Sequence, residues 1–220
     1  MRVATVAALA DALGVRLRIA ADLPHRVGRV DQNDRVHARA CAYIGRRLTE
    51  RGWEIRQEVE VGRDTVRGWI DTLGYRKADG ALFVSEFKSE QRDAGAVQRT
   101  MGWYEREAWA AARALGWRPT VVGSAVLLLA SEANDEAVRA NRDLLAQACP
   151  TRASELGRWL DQPTGRPMRR ALAMIDPFSR RRQWLRPTRT DGRRSTAPWV
   201  GYADCAQAIA IGRRSMRRPS

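Results

Sequence analysis

Lysine is nearly absent from this chain of 220 residues: of its 39 basic side chains, all but Lys77 and Lys88 are arginine. Neither lysine sits in a GxxxxGK context, which excludes a phosphate-cradling P-loop. Histidine is equally scarce, at His25 and His37 only. That argues against zinc sites built on several histidines and against most histidine-driven nucleophile triads. The three cysteines, Cys41, Cys149 and Cys205, are far apart, odd in number and without metal-ligand spacing. They read as free thiols in a reducing cytoplasm. No apolar run approaches the ~18 residues of a membrane span; the longest, TVVGSAVLLLA at 120–130, is too short. The N-terminus lacks a basic segment followed by an unbroken apolar stretch and a cleavage site, so no secretory signal is expected. No internal repeat appears.

What is present is positive charge. Residues 166–220 carry fourteen arginines against three acids, so most of the formal +14 belongs to the last quarter of the chain. The charge comes in runs such as Arg180-Arg181-Arg182, Arg193-Arg194, Arg213-Arg214 and Arg217-Arg218. Such a surface attracts polyanions, with nucleic acid the first candidate. The plainer reading is a solvated basic tail written by an arginine-biased genome. The same bias makes the lysines informative. Arginine is a permanently charged planar fork, lysine a compact ammonium with a tunable proton affinity. A site needing one ammonium beside a water and a phosphate resists replacement, and Lys88 lies in the segment SEFKSE.

With 44% apolar residues the chain can bury a sizeable core. Residues 4–14 read as a short helix, followed by apolar alternation at Val15, Leu17 and Ile19 and a linker at 22–33. Asp34 can cap a helix to about Arg51 with Val36, Ala40, Tyr43, Ile44 and Leu48 on one face. Alternation then predicts strands at 53–61, 66–75 and 81–89, the last two joined across Lys77–Gly80. Helical spacing returns from Ala94 to Leu115, and the continuous apolar run 120–130 reads as a strand in parallel pairing, covered on both faces. A helix from Asn134 to Pro150, a shorter one over 152–160, and a hairpin of strands at 171–175 and 183–187 follow. Loops are expected beyond Thr188. The organisation predicted is a remnant and linker at 1–33, an α/β core at 34–165 and an arginine-rich extension at 166–220, the core being a mixed sheet flanked by helices.

Strict alternation puts Trp69, Asp71 and Leu73 on one face of the second strand, and Leu82, Val84, Glu86 and Lys88 on one face of the third. If the two strands pair, Asp71 and Glu86 approach each other with Lys88 one step beyond. Two close carboxylates repel, and a hard divalent cation relieves the repulsion. Asp71, Glu86 and the Phe87 carbonyl are suitable oxygen ligands for Mg²⁺ or Mn²⁺. Such an ion would lower the proton affinity of a bound water and neutralise a phosphate oxygen, with Lys88 steadying the developing charge.

These residues, Gly68-Trp69-Ile70-Asp71 followed by Glu86-Phe87-Lys88 on an apolar strand, resemble the PD-(D/E)xK nuclease superfamily. The resemblance covers about 34–130. It implies a restriction-endonuclease-like αβββαβ core and a catalytic set of Asp71, Glu86, Lys88 and Gln98, since many members carry a glutamine early in the next helix. Many members also supply a glutamate from the first helix. Here the inward face offers Val36, Ala40, Tyr43 and Ile44, with His37 and Glu50 the nearest polar substitutes. The segments EFKSE…QRTMGWYEREAWAAARALGW and RPTRTDGRRS are also similar to the C-terminal domain of actinobacterial phage-repressor-type helix-turn-helix proteins. Residues 4–19 resemble only the last helix and strand of their DNA-binding module.

The reading that follows is a Mg²⁺-dependent nuclease hydrolysing DNA, with Arg180, Arg181, Arg182, Arg193 and Arg194 holding the backbone without reading sequence. The rival is a non-catalytic DNA-binding or transcriptional regulatory protein that keeps the nuclease-like scaffold. A third reading is a domain that works only once assembled with a partner chain, a homodimer included, through its tryptophans.

Overall fold

The computed structural model describes residues 35–63, 66–188 and 196–215. The elements expected at 1–33, the capping role of Asp34, and Arg193 and Arg194 lie outside the described residues.

Helix α1 (Arg35–Thr49) buries Val36, Ala40, Tyr43, Ile44 and Leu48 along the stripe its spacing predicts. The chain leaves it through Gly52, whose φ of +80° suits glycine, and the Trp53 N–H returns to the Leu48 carbonyl at 3.2 Å. Strands β1 (Glu54–Arg63), β2 (Val66–Arg76) and β3 (Ala81–Lys88) form an antiparallel meander. Helix α2 (Ala94–Ala114), capped by the Asp93 carboxylate on the Ala96 N–H, crosses to β4 (Val121–Leu129), which runs parallel to β3. Then come α3 (Glu132–Ala140), α4 (Arg142–Ala148), α5 (Ala153–Asp161), β5 (Ala171–Ile175), β6 (Leu185–Arg186) and α6 (Tyr202–Ser215).

The result is an α/β fold around one six-stranded mixed sheet in the order β1-β2-β3-β4-β5-β6. Helices α1, α5 and α6 cover one face, and α2, α3 and α4 the other. Strand β4 is flanked by parallel neighbours and buried on both faces, which is why its sequence is an unbroken apolar run. Leu127 and Leu128 on its opposite faces are fully buried, each contributing roughly 1.5–3 kcal/mol by removal from water. The sheet continues across residue 165, since β5 pairs with β4 and is wholly buried.

Two expectations need correction. The helix predicted over 134–150 is two, because at Asn141 the backbone leaves helical geometry (φ −115°, ψ 23°) while its N–H bonds the Ala137 and Val138 carbonyls. Beyond Thr188 the chain is not all loop. Cys205 and Ile209, one turn apart on α6, are buried in the α1-side core. The arginines around that helix obscure its short apolar stripe in the sequence.

Candidate active site

Strands β2 and β3 pair from Arg76–Ala81 up to Thr72–Ser85. The next residues along the two strands are Asp71 and Glu86, and there the ladder stops. The Phe87 N–H instead donates to Asp71 Oδ2 at 2.7 Å, so a side chain replaces the backbone acceptor.

Strict alternation fails at this point. A Cβ at Gly68 would meet Trp103 and Tyr104 on α2, and Ile70 lies in the same α2-side core. Yet Leu73 and Tyr75, of opposite parity, lie in that core too. The pleat therefore changes phase between Ile70 and Leu73. On β1, Ile55 packs against the α1-side core, whereas Val59 and Val61 join the other. Glu58, between the pairs Gln57–Thr72 and Val59–Ile70, has a φ of +51°. The register stays one to one across this point, with Glu58 opposite Asp71, so a left-handed residue on β1 and a phase change in both strands make a local kink without an inserted residue. It brings Asp71 to His37 on α1: His37 Nε2 lies 3.3 Å from Asp71 Oδ1.

Glu86 is buried, with Oε1 2.7 Å from Lys88 Nζ. Its Oε2 is buried and has no hydrogen-bond partner among the described residues. Burial, then the nearby Asp71 charge, pushes the Glu86 carboxyl up to about 8 despite Lys88. Burial disfavours a charged His37, but hydrogen bonds to Asp71 and Cys41 and the Asp71 charge outweigh it, and the imidazole is pushed up to about 11. Tyr104 on α2 closes the cluster from the opposite side. Burial first, then the Glu86 and Asp71 charges, raise its phenol above the usual range, while a backbone hydrogen bond at Trp69 works the other way. The side chain of Asp71 is 13% exposed and that of Lys88 34%, so the cluster reaches solvent at the mouth of the strand divergence.

Asp71 and Glu86 are near enough for their charges to interact, with Phe87 bonded to Asp71 and Lys88 to Glu86, but Asp71 turns to His37 on α1 while Glu86 shares the face of Leu82 and Val84 toward α2. Phe87 faces Asp71 through its N–H; N–H and C=O of one strand residue lie on the same side, so its carbonyl is directed to the same gap. Gln98 is exposed on α2 and lines a different feature, a cleft of about 410 Å³ shared with Glu105, Ser124 and Arg170. Arg180, Arg181 and Arg182 are exposed, in a loop tied to α1 where Arg47 donates to the Arg181 carbonyl and the Arg39 guanidinium lies 4.0 Å over the Phe178 ring.

His37 takes the place where an acid on the first helix was sought. Its partnership with Asp71 depends on the kink at Glu58 and Asp71, which a period-2 reading does not contain. A signal for the arginine row on α1 was present: Arg35, Arg39 and Arg46 are exposed on a helix with no acid in its first turn.

Neither a family model, nor a curated protein, nor a solved structure matches the chain. No helix among the described residues is long and apolar enough to cross a membrane.

Proposed function

We propose that the chain is a divalent-cation-dependent nuclease that hydrolyses DNA phosphodiester bonds at Asp71, Glu86 and Lys88. The observation that carries this reading is the buried Oε2 of Glu86, without a hydrogen-bond partner among the described residues, in a carboxyl disfavoured by the Asp71 charge. An orphaned buried carboxylate oxygen beside a second carboxylate suits a hard cation, and the donor set of Asp71, Glu86 and the Phe87 carbonyl is all oxygen. When bound, Mg²⁺ or Mn²⁺ would supply charge neutralisation at a phosphate oxygen and a more acidic water. Asp71 and Glu86 hold that position. Lys88, on the solvent side of Glu86, orients the attacking water or steadies the charge that develops on the phosphate. The exposed arginines of α1 and the loop at 180–182 would hold the DNA backbone, a sequence-independent contact.

A second reading, a DNA-binding or regulatory protein that keeps the scaffold without hydrolysis, draws on a specific fact. Both Asp71 oxygens already have protein partners, His37 and the Phe87 N–H.

One experiment separates the two. Supercoiled and linear DNA are incubated with the full chain and Mg²⁺ or Mn²⁺, with and without chelator, beside Asp71→Asn, Glu86→Gln and Lys88→Met. Hydrolysis requires metal-dependent cleavage that all three variants lose. Intact DNA with every protein, alongside unchanged DNA binding, supports the second reading and rejects the first.

A further inference from the structure

His37 and Cys41 stand one turn apart on α1, and the kink shared by β1 and β2 at Glu58 and Asp71 brings Asp71 to both. His37 Nε2 lies 3.4 Å from Cys41 Sγ and 3.3 Å from Asp71 Oδ1. The three ligand atoms are all within 4.8 Å of one another. A single imidazole nitrogen has one proton or one lone pair, so Nε2 meets both neighbours only through a shared, three-centre contact. A metal ion held between the three atoms satisfies all of them at once. With metal–nitrogen and metal–oxygen bonds of about 2.0–2.2 Å and metal–sulfur of about 2.3 Å, the edges of a tetrahedral site come to roughly 3.3–3.6 Å. The two edges at His37 Nε2 fall in that span, and the Cys41–Asp71 edge is within 4.8 Å.

The ligand types also discriminate. Magnesium takes oxygen ligands, whereas imidazole and thiolate select a borderline ion such as Zn²⁺. Three protein ligands leave one coordination position for water.

We propose that His37, Cys41 and Asp71 form a three-ligand site for a borderline transition ion, Zn²⁺ by its chemistry, and that filling this site withdraws Asp71 from the hard-cation position beside Glu86. The first half stands on this geometry alone; the second rests on the nuclease reading. Asp71 is the shared ligand, so zinc would act as a brake on magnesium-supported cleavage.

The test uses the metal-stripped, reduced full chain titrated with Co²⁺ as a spectroscopic stand-in for zinc. The expected result is a thiolate-to-cobalt charge-transfer band in the near ultraviolet, with visible bands of tetrahedral cobalt, both displaced by Zn²⁺. Cys41→Ser and His37→Ala should each weaken binding by more than about tenfold, while Glu86→Gln and Cys149→Ser keep the bands. His37 is partly exposed, so His37→Ala preserves the comparison if Cys41→Ser fails to fold, as circular dichroism reports. Absence of the bands from folded wild-type protein, or their survival in both folded ligand variants, overturns the site. In the cleavage arm, Zn²⁺ added with excess Mg²⁺ should inhibit wild type and spare Cys41→Ser. Cleavage that ignores zinc in protein showing the cobalt bands overturns the brake, not the site. Cobalt bands in a protein that never cleaves DNA leave the site standing and reject the nuclease reading.

Discussion

Asp71 binds His37 across two elements far apart in sequence, Oδ1 to Nε2 at 3.3 Å, while its other oxygen accepts the Phe87 N–H at 2.7 Å. The carboxylate thereby ties α1, β2 and β3 together at the mouth of the candidate site. His37 is pushed from 6.5 up to about 11, burial opposing the charge and Asp71 more than compensating. A folded proton affinity above the unfolded one means stability fully present below about pH 6.5 and lost as pH rises through about 11. His37→Gln should therefore lower stability by roughly 1–2 kcal/mol in mildly acidic buffer. The deficit should shrink toward pH 11 in urea melts of the metal-stripped protein.

Glu86 works in a lower window. Its native carboxyl holds a proton up to about 8, burial being the main cause and Asp71 the second, against an ordinary 4.5. The native state then keeps a proton that the unfolded chain releases, so stability falls as pH rises from about 4.5 to about 8. Glu86→Gln should flatten this part of the stability profile. Saturating Mg²⁺ or Mn²⁺ should raise the melting temperature of wild type more at pH 8.5 or so than in acid, because the cation binds the ionised form. The same addition should leave Glu86→Gln nearly unmoved.

Glu58 touches the site through the backbone. At φ +51° it sits where a side chain costs about 1–2 kcal/mol relative to glycine. Glu58→Gly should preserve the fold and DNA cleavage. Glu58→Val, β-branched at a left-handed position, should destabilise the protein by about 1–2 kcal/mol and lower cleavage by misplacing Asp71. Denaturant midpoints and cleavage rates measured on the pair of variants check this, and equal behaviour of the two would remove the Glu58 kink from the explanation.

The loop at Arg180, Arg181 and Arg182 is predicted to act on binding alone. Replacing all three with glutamine should weaken DNA affinity and make its log–log salt dependence shallower by about 0.9 for each phosphate that is no longer neutralised. Metal dependence of cleavage should not change. Fluorescence anisotropy across a salt series gives the slope.

The chain's own pattern determined the α/β layering, the β1–β3 meander, the doubly buried β4 and the placement of Asp71 and Glu86 on adjoining strands. Those features follow from local periodicity: alternation for half-covered strands, an unbroken run for a strand between parallel neighbours, a 3.6-residue stripe for α1 and α2. Tertiary structure alone decided the phase change at Asp71, the pairing with His37, the separate position of Gln98 and the helix made by Tyr202–Ser215. Each of these depends on which neighbour a side chain or a backbone group meets across the fold. Periodicity specifies which face a residue prefers; a single left-handed residue on the adjoining strand can reverse that preference, and it leaves no trace in the alternation of the strand it bends.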